Sequence, residues 1–200
     1  MSGKLQIGIG AAAVFALCLY LGKANELAAL LLPILCHELG HFLALLALGL
    51  HIRLFRVEPR GFCLEYYGST GALGHALAAA AGPAAGLLYA WAAAALGRLY
   101  STELLLFSAG TSLLLSIFNL LPALPLDGGR ILLALSCAVL GTRRGERITE
   151  GTSLAFGAVL LALGIHVMIA GRGIGLLAAA IWLLLYQENG RGLVNRPELL

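Results

Sequence analysis

The stretch LLPILCHELGHFLALLALGL, residues 31–50, is long enough to cross a bilayer and carries His37, Glu38 and His41 as nearly its only polar side chains. An ionisable group inside such a helix is costly and by default functional. At 3.6 residues per turn His37 and His41 fall one above the other on a single face, where two imidazoles can hold one zinc ion while Glu38 keeps a water beside it. This is the HExxH pattern of metalloproteases. Two structural or haem-ligating histidines beside a protonated glutamate are the alternative.

Working outward, the same apolar character continues along the chain. Sixty per cent of the 200 residues are hydrophobic and 12% are charged, about half the charged share of soluble domains. The chain therefore reads as a polytopic integral-membrane protein, residues 1–200 forming one domain, since no linker, charged block or fixed-period repeat divides it. Cys18, Cys36, Cys63 and Cys137 stand singly, three of them inside apolar runs, which argues against a disulfide framework or a thiolate metal site.

Spans of about 20 apolar residues are expected near 6–22, 25–50, 71–97, 104–140, 152–170 and 173–187, six in all. The first has no cleavage site leading into a soluble domain and reads as a retained helix. The fourth is too long to be one rod and contains NLLPALPLDGGR, 119–130, where Pro122, Pro125 and Gly128-Gly129 interrupt helical hydrogen bonding. Backbone freed at membrane depth is tolerated where protein or water surrounds it, so this break is expected to line a cavity. Of the ten acidic residues only Glu38 and Asp127 lie deep within these segments. Asp127 would complete a His/His/Asp set that leaves zinc's fourth position open, the arrangement of a catalytic site. Capping of the helix that follows is the other role open to it.

With six crossings both termini share a side. Nine basic residues, Lys4, Arg53, Arg56, Arg60, Arg143, Arg144, Arg147, Arg191 and Arg196, fall there against Lys23, Arg98 and Arg172 opposite. The expected termini are cytoplasmic. That bias accounts for the net charge of +3 and leaves no basic face for nucleic acid.

His37-Glu-Leu-Gly-His41 in one membrane helix, AGPAAG at 81–86 in the next, and NLLPALPLDGG at 119–129 together resemble the site-2 protease family of intramembrane zinc metalloproteases. Within it the sequence looks most like the bacterial sporulation-factor-processing group typified by stage IV sporulation protein FB. The resemblance covers residues 25–140, the catalytic core. It implies one zinc ion per chain held by His37, His41 and Asp127, with Glu38 as general base. It implies that Asn119 positions the substrate or polarises its carbonyl, an interhelical hydrogen bond being the alternative. It further implies a membrane-anchored or membrane-associated protein substrate cut near the cytoplasmic side of a bacterial cell membrane, in regulated intramembrane proteolysis. A homo-oligomer or a regulatory membrane partner is compatible with this. The dozen residues after the last helix leave no room for the nucleotide-sensing (CBS) domain common in that group, nor is there space for a PDZ domain. A non-proteolytic metal or haem carrier or scaffold is the alternative function.

Between the second and third spans, HIRLFRVEPRGFCLEY, 51–66, alternates apolar residues on either side of Glu58-Pro59-Arg60-Gly61 and reads as a short membrane-associated β-hairpin directly after the zinc helix. The fold class expected is thus all-α with about six transmembrane helices and this one hairpin. The hairpin edge could take an unwound substrate as an added strand. A plain amphipathic loop on the headgroups is the alternative. His51, His75 and His166 read as structural hydrogen-bonding groups, and Gly82, Pro83 and Gly86 as helix-packing residues.

Overall fold

Alanine and leucine, both strong helix formers, carry the chain from Ala24 to Ala47 as helix α1 in a computed structural model that describes residues 4–7, 24–58, 61–67 and 70–190. One face of α1 buries Ala29, Pro33, His37 and Gly40. The opposite face exposes Leu32, Leu35, Leu39, Leu43 and Leu46 at helical spacing, the inverse of a soluble helix and a stripe suited to lipid. The helix ends in a Schellman motif. Gly49 takes φ 72°, and the amides of Gly49 and Leu50 donate back to the carbonyls of Leu46 and Leu45. A left-handed residue there turns the chain directly out of the helix into the next element.

That element is the central strand of a three-stranded sheet. β1 (Lys4–Ile7) lies parallel to β2 (His51–Glu58), with Lys4 opposite Leu54 and Ile7 opposite Val57. β2 pairs antiparallel with β3 (Gly61–Tyr67), from Glu58 opposite Gly61 to His51 opposite Tyr67, with an irregularity between Ile52 and Leu54. Pro59 and Arg60 lie outside the described residues.

The remaining elements are α2 (Ala72–Leu99), α3 (Glu103–Asn119), α4 (Asp127–Leu140), α5 (Thr142–Ile169) and α6 (Gly175–Gly190). The chain folds as two compact units, one of described residues within Met1–Thr70 and Ala81–Phe118, the other within Gly71–Ala80 and Asn119–Leu200. In the first unit helices meet through small residues. Gly40 of α1 sits against the Ala81 carbonyl and the Ala85 methyl of α2, and Gly86 sits against Ser116 of α3. α3 is likewise inverted, with Ser108, Ser112 and Ser116 wholly buried and Leu106, Phe107, Leu113, Leu114 and Ile117 exposed. The Ser112 hydroxyl donates to the Gly86 carbonyl at 2.8 Å, and Tyr89 and Ser108 share a hydrogen bond of 2.8 Å. Close backbone approach and interhelical hydrogen bonds are what hold helices together where lipid supplies no hydrophobic drive.

In the second unit Gly145 of α5 packs on the backbone of Cys137 in α4, and Gly164 on that of Leu177 in α6. A left-handed Gly141, φ 80°, separates α4 from α5.

Among the described residues three helices, over Asn25–Ala47, Ala72–Leu99 and Thr142–Ile169, are long and apolar enough to cross a membrane. The expected six spans are corrected accordingly. Residues 6–7 of the first expected span belong to β1, and its remainder, 8–22, lies outside the described residues. The fourth is two helices, because Pro122 and Pro125 lack the amide hydrogens a helix needs. α3, with 17 residues, reaches only about 25 Å at 1.5 Å per residue, short of a bilayer core of about 30 Å. The last expected span is a helix of 16 residues, Gly175–Gly190, which at about 1.5 Å per residue is also shorter than a bilayer core.

Candidate metal centre and its surroundings

His37 and His41 occupy successive turns of α1, and their Nε2 atoms stand 3.2 Å apart. The rings meet edge to face, 80° apart, with centroids separated by 4.9 Å. His37 is buried and His41 half-buried. Two nitrogens brought this close on one helix face form a convergent donor pair, either sharing one proton or sharing one cation. Glu38, half-buried, follows His37 immediately. The α2 backbone closes one side of the pair, for Gly82 lies directly against the His41 imidazole.

In the second unit the chain leaves α3 at Asn119, a half-buried residue, and passes through 120–126 before α4 begins. Short backbone bonds organise this break, from the Ala123 amide to the Leu121 carbonyl at 2.8 Å and from the Leu126 amide to the Ala123 carbonyl at 2.9 Å. The Leu124–Pro125 peptide is cis. The Leu124 amide donates to Ser153 Oγ at 2.9 Å, and the Ser153 hydroxyl donates in turn to the Thr149 carbonyl at 2.7 Å. Ser153 is 1% exposed, so a side chain of α5 satisfies backbone that neither lipid nor the broken helix could. Sequence reading missed Ser153; the only signal for it was a serine among apolar residues.

Asp127 is 6% exposed and opens α4. Leu126 is the residue at the N-cap position and makes no side-chain cap. Asp127 therefore stands inside the first turn, where the helix's positive end favours a carboxylate. Gly128 and Gly129 also belong to α4 and not to the break, correcting the expectation that they interrupt the helix. Their bare Cα atoms let the first turn lie against the backbone of Leu120, Leu121, Ala123 and Leu124, where a Cβ would collide.

The model of Peptidase family M50 matches residues 98–163, a stretch that contains Asn119 and Asp127. The chain is similar to a protein of Synechocystis named as a zinc metalloprotease, 30% identical over 142 residues, 66% of this chain and 36% of the relative. It is also similar to a Mycobacterium tuberculosis protein named as zinc metalloprotease Rip3, 39% identical over 80 residues, 38% of this chain and 18% of the relative. The chain thus spans at most 36% of the length of these relatives. Among solved structures it resembles a site-2 protease from Methanocaldococcus jannaschii, with a TM-score of 0.70, 21% identity and coverage of 92% of this chain and 89% of the other. At that identity the likeness shows the fold. Together the comparisons support a place in Peptidase family M50, and with the apolar helices they support an integral membrane protein.

Proposed function

We propose that this chain is the catalytic core of a zinc metalloprotease of the site-2 protease type, hydrolysing peptide bonds of membrane-embedded proteins near the cytoplasmic side. The observation that carries the reading is the imidazole pair with its Nε2 atoms 3.2 Å apart. Zinc–nitrogen bonds of about 2.0–2.1 Å at a tetrahedral angle put two nitrogen ligands of one ion about 3.3 Å apart, so the spacing fits. Asp127 supplies the third ligand in this reading, as the second ionisable group deep in the apolar segments. Two imidazoles and one carboxylate are a donor set that suits zinc and leaves a position open. One ion per chain, when bound, would acidify water and polarise the scissile carbonyl.

The chain's own groups do the rest. Glu38, one residue from His37, takes the proton from the attacking water and returns it to the leaving amine nitrogen. Asn119, at the end of α3, donates its amide hydrogen to the carbonyl oxygen as negative charge develops there. A substrate helix must unwind before its carbonyl is accessible, and β3 has a neighbour on one side only among the described residues, β2, leaving an edge for an extended substrate segment. The cytoplasmic side and cytoplasmic termini rest on the nine-against-three distribution of basic residues, and the sporulation-factor-processing group on the order and spacing of the motifs.

The test is cleavage of a helical membrane protein by the purified chain in lipid vesicles, with zinc measured on the same samples. Glu38→Gln abolishes cleavage and retains zinc; His41→Ala and Asp127→Ala lose both. Turnover by Glu38→Gln at the normal rate overturns the mechanism.

A further inference from the structure

The two residues between Glu38 and His41 carry no ligand in a HExxH pattern, yet the second of them, Gly40, is packed directly against α2. A Cβ on Gly40 would meet the Ala81 carbonyl oxygen and would lie 2.7 Å from the Ala85 methyl. The next residue along α2, Gly82, then receives the His41 ring. A Cβ built there would clash first with Nε2 and would lie 2.5 Å from Cε1 and 2.7 Å from Cδ2. The collision is thus centred on the atom that must point at His37, not on the far edge of the ring.

From this we infer that Gly82 is a positioning residue for His41. Its bare Cα is the surface on which the imidazole rests, and it sets the ring plane that brings the two Nε2 atoms to 3.2 Å. A histidine side chain has two rotatable bonds, and a half-buried one keeps rotamer freedom unless something bounds it. The α2 backbone bounds the ring on this side, and Gly40 sets the depth of approach that makes it effective. A methyl at 82 would displace Nε2 from the shared point while leaving the His41 backbone in place.

Gly86 provides an internal comparison. It lies one turn along α2 and is packed as tightly, but against Ser116 Oγ instead of the histidine. If glycines at these positions serve helix packing alone, Gly82→Ala and Gly86→Ala should behave alike.

The inference rests on the metalloprotease reading for its consequence but not for its geometry, and the experiment separates the two. Side-chain ¹⁵N spectra of the metal-free protein report the hydrogen bond between His37 and His41 without any metal. Zinc retention against a chelator reports ligand alignment. Gly82→Ala is expected to lose the imidazole–imidazole signature and to weaken zinc about 10- to 100-fold, the usual scale for a group that orients a ligand. Gly86→Ala should keep both, at a comparable loss of thermal stability. An unchanged imidazole signature in folded Gly82→Ala overturns the inference, as does an equal loss of zinc in the two variants. Should Gly82→Ala fail to fold, Gly40→Ala, which moves α2 away without touching the ring, must weaken the same signature; a wild-type signature there overturns the inference too. A wild-type protein that shows the signature but binds no zinc overturns the proposed function and leaves Gly82 in its role.

Discussion

Replacing Ser153 by alanine tests how the broken segment is held. Its hydroxyl takes the Leu124 amide at 2.9 Å and gives a hydrogen bond to the Thr149 carbonyl at 2.7 Å, in a site 1% exposed. Alanine removes the acceptor and leaves no space for bulk water to replace it. Removing one partner of a buried hydrogen bond costs about 1–3 kcal/mol. In a chain of this size each kcal/mol shifts Tm by about 2–4 °C, so Ser153→Ala should lower Tm by roughly 2–12 °C. Thr152→Ala is the matched control. That hydroxyl also bonds the carbonyl four residues back, Ile148, at 2.8 Å, but it holds nothing outside its own helix. Its loss should fall within about 0.5 kcal/mol of zero, as for ordinary surface changes. Thermal unfolding followed by the fluorescence of Trp91 and Trp182 in detergent gives both values. Because Leu124 lies three residues before Asp127, Ser153→Ala should also shed zinc faster to a chelator than Thr152→Ala does. Equal Tm values and equal zinc loss for the two variants would refute the anchoring argument.

Asn119→Ala should keep zinc and slow cleavage about 10²-fold or more, the scale of one lost transition-state donor; unchanged kcat reduces Asn119 to a packing residue. Gly49→Ala, forced to φ 72°, should destabilise by about 1 kcal/mol, whereas Gly110→Ala, an exposed helical glycine with nothing within 4 Å of a new Cβ, should stabilise by up to about 1 kcal/mol. Opposite Tm shifts are the expected result, and shifts of one sign count against the capping account. Substrates carrying glycine or proline near the scissile bond should be cut faster than fully helical ones in vesicles, since less helix must be undone; equal rates would show that unwinding does not limit the reaction.

What the sequence alone determined is what short-range chemistry determines. HELGH is local, so the helical repeat by itself puts His37 and His41 on one face, while the 3.2 Å between their Nε2 atoms also depends on the ring orientation. The prolines at 122 and 125 end a helix wherever they stand, so the break was legible too, though not its edges: Gly128 and Gly129 looked like breakers and are helical because their bare Cα atoms let α4 lie against 120–124. The alternation in 51–66 located two extended segments. Helix count was less legible, since hydropathy marks an apolar run but cannot distinguish one 30 Å rod from two short helices, and residues 4–7 gave no sign of pairing with β2 because a parallel partner is chosen across a long connection. Tertiary structure decided the rest. That Gly82 bounds the His41 ring, that Ser153 satisfies the Leu124 amide, and that serines line the inside of α3 while leucines line the outside all depend on which atoms of distant segments come within van der Waals contact. Residue type and spacing carry no record of that approach.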